Sequence, residues 1–306
     1  MGMLHTIGNV FGLSQEMRNH IAARWKGITR WKPAFYRPVT SWGLNNQPRE
    51  EHMTISLTTY PGRIKTVHFT IETLLNQTMK PDRVVLWLGE DKFPGKEKDL
   101  PKRLLRLREF GLTIGWCRDM RSFTKLLPAL KEYPDDIVIT ADDDMFYPPE
   151  LVEKLYAAYC KDKSAVYSHS AMMIEGGQDG LTSYNDWWYC PKDMDYSYKN
   201  IVMGVNGVLY PPGCFGGEIF NEEVFKAIAP TTDDLWFWAM SVLAGRKICS
   251  VDSEGTKKVS TNYMASTASS LWSFNIDAAQ GNDKQLAAIL DRYPLVKERL
   301  MADLNC

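Results

Sequence analysis

The chain has 306 residues, a formal net charge of −1 and 44% apolar residues, the profile of a globular protein with one large domain or two small ones. That balance excludes a general polyanion binder, so no nucleic-acid partner is expected. No stretch approaches the ~18–20 uninterrupted apolar residues of a membrane span, and the first thirty residues lack a signal-peptide core because His5, Asn9, Gln15, Glu16 and Arg18 interrupt them.

Residues 1–52 read as a basic, aromatic N-terminal extension. Its first fifty residues carry seven cations against two acids, with Trp25, Trp31, Phe35, Tyr36 and Trp42 interleaved. That mixture suits either contact with an anionic membrane face or packing of the aromatics on the main domain. The six cysteines (117, 160, 190, 214, 249 and 306) show neither CxxC nor Cys/His zinc spacing. They read as reduced thiols, and the expected location is the cytoplasm, at the inner face of the membrane if the extension binds there.

Regular alternation begins at residue 53. A strand is expected over 54–60, a turn at Pro61-Gly62-Arg63, and a helix from Val67 to Asn76 on the spacing of Val67, Ile71, Leu74 and Leu75. Strand 84–88 follows, then a basic amphipathic helix over 100–110 and strand 112–117. A helix over 122–133 with Ser122 as N-cap comes next, then strand 137–140, helix 151–160 and strand 165–168. Such alternation predicts a mostly parallel sheet flanked by helices, with ligands beyond the carboxyl ends of the strands. Residues 169–215 are irregular. Beyond them the pattern predicts a strand and tight turn over 206–213, helices over 222–228 and 233–244, a strand over 247–251 and a helical region over 284–304.

The run Ile137 to Thr140 ends in Ala141-Asp142-Asp143-Asp144. Three adjacent carboxylates repel one another and cannot be buried unpaired, so a cation is expected there. A hard divalent ion, Mn²⁺ or Mg²⁺, fits oxygen donors at Asp142 and Asp144, with His169 as a candidate third ligand. An EF-hand is excluded, because Tyr147 occupies the position that needs glycine and Pro148-Pro149 stiffens the loop. An acidic helix start before Pro149 is the plain structural alternative.

These residues, with others in order, resemble a GT-A fold glycosyltransferase of the family 2 type, over residues 53–250. Thr58-Thr59-Tyr60 resembles the opening strand used against the nucleotide base. Leu74-Leu75-Asn76-Gln77-Thr78 with Pro81-Asp82 resembles the Ser-Leu-x-x-Gln-Thr segment, Asp142-x-Asp144 the DXD motif, and Thr232-Asp233-Asp234-Leu235-Trp236 the later segment that carries the base. Two motifs depart from the pattern: Gly89-Glu90-Asp91-Lys92 replaces Asp-Asp-Gly-Ser, and the Gln-x-x-Arg-Trp of processive synthases is missing.

The resemblance implies a Rossmann-like α/β fold with an irregular acceptor-side region. Its nucleotide-sugar half would be 53–168, its acceptor and catalytic half 169–255, and 256–306 a helical extension. It also implies an inverting, non-processive transferase acting with a nucleotide-sugar donor, UDP-linked first of all. The acceptor would be a glycan or lipid-linked glycan of a bacterial surface polysaccharide. Asp234 is the first candidate base, and Asp233 is the alternative or a cap. Thr58, Thr59, Tyr60, Arg63, Asp91, Lys125, Asp142 and Asp143 are donor-side candidates. Trp187, Trp188, Tyr210 and Glu218 are acceptor-side candidates. A non-catalytic sugar-binding module and a nucleotidyltransferase remain as competing classes. The latter fits less well, because the loop after the first strand holds one glycine where a Gly-rich, Arg-containing loop is needed.

Overall fold

The computed structural model describes residues 32–177, 180–252, 259–261 and 281–305. The extension up to residue 31, with Trp25 and Trp31, lies outside the described residues, as do 256–258 and 262–280 of the C-terminal extension. Among the described residues no helix is long and apolar enough to cross a membrane.

One eight-stranded sheet organises the chain. Its strands are β1 (Met53–Thr58), β2 (Arg83–Gly89), β3 (Leu112–Cys117), β4 (Ile137–Thr140), β5 (Val166–Ser168), β6 (Asp195–Ser197), β7 (Val208–Tyr210) and β8 (Ile248–Ser250), in the spatial order β6-β8-β5-β7-β4-β1-β2-β3. β3, β2, β1 and β4 are parallel. β7 runs antiparallel between β4 and β5, β8 is parallel to β5, and β6 closes the edge antiparallel. The chain therefore builds β1-β2-β3 outward and returns to lay β4 on the other side of β1. That reversal creates a crevice at the carboxyl ends of β1 and β4.

Strand alternation sorts the two faces. Met53, Ile55 and Leu57 of β1 join Ile137 and Ile139 of β4 in one apolar layer. Helices α1 (Val67–Leu75), α2 (Lys102–Arg106) and α4 (Leu151–Tyr159) cover it. Val85, Trp87, Val138, Val208 and Tyr210 form the other layer. It lies under α3 (Leu127–Glu132), α5 (Glu222–Ile228), α6 (Asp233–Leu243), α7 (Asn282–Arg292) and α8 (Pro294–Leu304). Residues 235–242 of α6 are all buried, so this helix is a core rod rather than an amphipathic surface element. Trp236 and Trp238 anchor it by donating to the Ile219 and Tyr198 carbonyls at 3.1 and 2.8 Å.

Proline accounts for two departures from the expected helices. The helix expected over 122–133 is a 3₁₀ turn, Arg121–Lys125, followed by α3, and Ser122 caps neither. Pro128 has no N–H to continue a helix through that point and sits in the first turn of a new one. Pro294 likewise starts α8 and divides the terminal helical region. The helix expected over 100–110 shortens to α2 and a 3₁₀ turn that closes at Gly111 with φ 111°, a left-handed value that glycine adopts without strain.

The segment Asn76-Gln77-Thr78 has a clear structural duty. Gln77 is buried, donates to the Pro148 carbonyl at 3.0 Å and accepts from Val152 N–H at 3.0 Å. Thr78 N–H donates to the Pro149 carbonyl at 2.8 Å. Together they pin the turn that follows the acidic triplet. Gln77→Ala leaves the Val152 N–H without its partner, while the Pro148 carbonyl keeps Leu151 N–H at 3.2 Å, so it should cost about 1–2 kcal/mol of unfolding free energy. A urea titration checks this, and an unchanged midpoint would show that the turn is held by other contacts.

Candidate active site

The first strand stops at Thr58 rather than Tyr60, and its hydroxyl is tied to the Trp87 carbonyl at 3.0 Å. Thr59 and Tyr60 then enter the turn that carries Arg63 across the crevice. Its guanidinium bridges two members of the triplet, with Nη1 2.6 Å from Asp143 and Nη2 3.0 Å from Asp144. Thr59 Oγ1 donates to the other Asp143 oxygen, and the Arg63 guanidinium lies 5.6 Å from the Tyr60 ring. Burial disfavours the Arg63 charge, but Asp143 and Asp144 outweigh it and hold its pKa above the ordinary value.

Lys125 supplies the second cation. Ser56 Oγ of β1 donates to its backbone carbonyl at 2.5 Å, fixing the 3₁₀ turn over the sheet. The buried ammonium sits 2.9 Å from Asp142, 2.8 Å from Asp233 and 3.8 Å from Asp234. Desolvation pushes its pKa down, yet the three carboxylates keep it well above the usual lysine value. Lys125 is therefore a permanent cation joining the acids after β4 to those opening α6.

Asp233 and Asp234 are not caps. Thr232 occupies that position, and both acids lie in the first turn of α6, where the helix dipole favours negative charge. Asp233 is turned to Lys125. Asp234 accepts from Gly204 N–H at 3.1 and 3.2 Å and keeps 30% of its side-chain surface open, against 10% for Asp233.

Five carboxylates thus share two cations. The excess shows in their titration. Burial raises Asp144 to about 6, with Arg63 opposing and Asp143 and Asp142 adding. Burial raises Asp234 to about 7, with Lys125 opposing and Asp233 and Asp142 adding. Asp143 is raised as well, mainly by burial.

This donor set fits a hard divalent cation at Asp142 and Asp144: it is all oxygen, partly open and short of positive charge. Among the described residues, no three His, Cys, Asp or Glu side chains cluster closely enough to hold an ion by themselves. An ion here would complete its shell from a diphosphate and water, the habit of Mg²⁺. His169 is not part of the set. It is buried behind β5 with Nε2 3.7 Å from Asp252, which Lys154 pairs at 2.5 Å.

Asp91 stands at the rim, beyond the end of β2, 58% exposed and 3.2 Å from Lys92, which also reaches Asp119 at 3.6 Å. The absence of a side chain at Gly89 lets Asp119 close in on this edge, since a Cβ there would lie 2.7 Å from that of Asp119.

The four acceptor-side candidates do not form one platform. Trp187 is buried and donates to Thr182 Oγ1 at 3.0 Å. Trp188, next along a short strand, points to the opposite face and is 71% exposed. Tyr210 is core, between the rings of Phe215 and Phe237. Glu218 accepts from Asn221 and from the Tyr293 hydroxyl at 3.0 and 2.6 Å, pinning α7.

Three residues escape a reading of the sequence. Tyr147 is fully buried, receives Asp142 N–H at 2.8 Å and donates to the Val205 carbonyl at 3.1 Å, locking the triplet backbone. Gly204 is where a Cβ would collide with Lys125 and Asp234, and its only sequence signal is the pair of glycines in Gly204-Val205-Asn206-Gly207. Tyr184, beside Asp234, carries no signal at all.

The mostly parallel sheet, its switch point and the flanking helices define a GT-A-like fold. Among solved structures, the chain is similar to the mannosyltransferase PcManGT from Pyrobaculum calidifontis in complex with GDP-Man and Mn²⁺. The two share a TM-score of 0.51 at 15% identity, over 99% of this chain and 81% of that one. Weaker likenesses are S. aureus TarS with UDP-GlcNAc (TM-score 0.40, 14% identity, 65% of this chain and 56% of that) and the T. maritima inositol-1-phosphate CTP transferase (0.40, 10%, 68% and 87%). No protein-family profile and no curated protein sequence matches the chain.

The raised acids set the pH dependence of folding. Between the ordinary carboxylate pKa of 3.8 and their folded values of about 6 and about 7, Asp144 and Asp234 bind more protons folded than unfolded. In the absence of divalent ion, their contribution to stability should therefore fall as pH rises from about 5 to about 8. Thermal unfolding across that range checks it. Asp234→Asn should flatten the slope, and an unchanged slope would show that Asp234 titrates normally.

Proposed function

We propose that the chain is a metal-dependent, inverting glycosyltransferase that moves a sugar from a nucleotide diphosphate sugar to a hydroxyl of a bacterial glycan, such as capsule, lipopolysaccharide or exopolysaccharide. The observation that carries this reading is the division of five carboxylates by Lys125. Asp142, Asp143 and Asp144 lie on the β4 side of the crevice, and Asp234 faces them from α6. UDP is the first nucleotide to test. GDP stands beside it, since the similar mannosyltransferase holds GDP-Man and Mn²⁺.

A divalent ion on Asp142 and Asp144 would neutralise the leaving diphosphate. Arg63 and Lys125 add fixed positive charge beside it. Asp143, oriented by Thr59 and Arg63, is assigned to the ribose or donor sugar, and Asp91 to the base at the rim. The acceptor oxygen attacks the anomeric carbon, the bond from that carbon to the phosphate oxygen breaks, and the nucleoside diphosphate departs. The acceptor's proton passes to Asp234. A carboxyl whose pKa is raised to about 7 is well matched to taking a proton at neutral pH. Asp233, held by Lys125, keeps that ammonium in place. In this reading residues 53–168 serve the donor, 169–255 the acceptor and 256–306 complete the acceptor side. Within the extension over 1–52, Tyr36 packs on Phe69 and Phe146 of the domain, which supports packing of its aromatics over membrane contact.

A panel of UDP- and GDP-sugars, screened with Mn²⁺ by thermal shift and by donor turnover, tests the proposal, because a ligand of the native state raises its apparent stability. Asp234→Asn should lower turnover by about 10²–10⁴-fold while donor-induced stabilisation persists. Asp144→Ala should remove metal-dependent turnover with the fold intact. Full activity of Asp144→Ala, or of the wild type in excess chelator, would eliminate the metal from the mechanism.

A further inference from the structure

The first turn of α7 holds two loops at once. Asp283 accepts from Ser183 Oγ at 2.7 Å and from Tyr184 N–H at 2.6 Å. Asn282 bonds the Tyr184 phenol. Two residues on, Gln285 accepts from Thr231 N–H at 3.2 Å and donates to Thr231 Oγ1 at 2.7 Å. Thr231 directly precedes Thr232-Asp233-Asp234. One helical turn therefore fixes Tyr184 relative to the carboxylates of α6. Residues 182–189 and 231–234 are far apart in sequence and share no strand pairing, so without α7 their spacing would rest on loop packing alone.

What α7 holds there has the character of a sugar site. The Tyr184 ring packs on Trp187 at a centroid distance of 5.1 Å, and burial together with nearby Asp234 and Tyr189 raises the pKa of its phenol. Tyr189 is 44% exposed and, by strand alternation, lies on the face opposite Trp188. A phenol and an open aromatic ring beside a carboxylate offer hydrogen bonds to hydroxyls and a flat apolar face to sugar C–H groups. The charge balance narrows the class further. Among the described residues five carboxylates face two cations, and the charge of a divalent ion would be offset by the donor's diphosphate, so an anionic acceptor would be repelled and an uncharged one would not.

We propose that Tyr184 and Tyr189 bind the acceptor as an uncharged sugar next to Asp234, and that Asp283 and Gln285 are positioning residues that set this subsite against the base. The proposal rests on the transferase reading above.

The test is transfer from the sugar nucleotide selected by the thermal-shift screen to a panel of methyl hexosides, methyl N-acetylhexosaminides and the matching methyl uronides. The wild type should use neutral members in preference to their uronides. Tyr184→Phe should raise the acceptor KM by about tenfold or more, because a polar site built for a hydroxyl loses its partner. Gln285→Ala should instead lower kcat with little change in acceptor KM, since it loosens the base loop. In both variants donor-induced stabilisation should match wild type. Preference for uronides, an unchanged KM in Tyr184→Phe, or a wild type that uses none of the panel while the donor still stabilises it, would each overturn the subsite and leave the donor assignment standing. Loss of donor stabilisation in the wild type itself would instead remove the transferase reading.

Discussion

The structure is built around an electrostatic debt: five aspartates converge where two parallel strands end and a buried helix begins, and among the described residues Arg63 and Lys125 are the cations paired with them. Carboxylates taken from water without partners are costly, so each cation has to be fixed in place. Ser56 of β1 holds the Lys125 backbone, and the absence of a side chain at Gly204 leaves room for its ammonium against Asp234. Arg63 is set by the turn after β1. The same strand therefore positions both cations, and its place between β2 and β4 puts them beside the triplet. Burial, only partly opposed by these cations, holds Asp143, Asp144 and Asp234 above the ordinary carboxylate pKa. Acids perturbed in this way and gathered in a crevice are the pattern of a candidate functional site.

That pocket needs rigid walls, and the surrounding elements supply them. Gln77 and Thr78 at the end of α1 hold Pro148 and Pro149, and Tyr147 threads its hydroxyl between Asp142 N–H and the Val205 carbonyl. Tyr36 of the N-terminal strap packs edge-on against Phe146 at 5.4 Å, behind the same turn. On the far side α6 is buried along almost its whole length, so its first turn cannot drift. Rigid walls of this kind keep the carboxylates and their two cations in one fixed arrangement.

Much of this is legible in the sequence, for definite reasons. The strands from 53 to 140 announce themselves because each is a short β-branched or apolar run between turn residues, and the acidic triplet stands at the end of the last one. Asp233 and Asp234 were visible as acids opening an apolar helical run. What stays hidden depends on three-dimensional convergence. The sequence places Lys125 on a helix that Pro128 breaks, and nothing local shows that it reaches both Asp142 and the distant pair Asp233-Asp234. Trp187, Trp188 and Tyr210 look equivalent as bulky aromatics, yet strand alternation sends one to the core and one to solvent, while Tyr210 fills the layer beneath α6. Glu218 looks free beside its glycines, but Tyr293, 75 residues on, takes its Oε1. His169 sits at a strand end as a ligand would, and its imidazole lies 3.7 Å from Asp252, which Lys154 also pairs.

The division of labour between Asp233 and Asp234 follows from helix geometry. Neighbouring residues on an α-helix point about 100° apart, so a single first turn can aim one carboxylate at a buried ammonium and the next into open space. Asp233 is 2.8 Å from Lys125 and nearly covered, so its negative charge is matched and its surroundings leave little room for an incoming hydroxyl. Asp234 is 3.8 Å from the same nitrogen, is oriented by a backbone N–H that leaves room for a further donor, and is the more open of the two. Exchange of their roles would require α6 to rotate, and Trp236 and Trp238, each bonded to a carbonyl on a different neighbour, prevent it. The different surroundings of Asp233 and Asp234 are therefore fixed by the packing of two tryptophans further along the same helix, a link that no local motif could express.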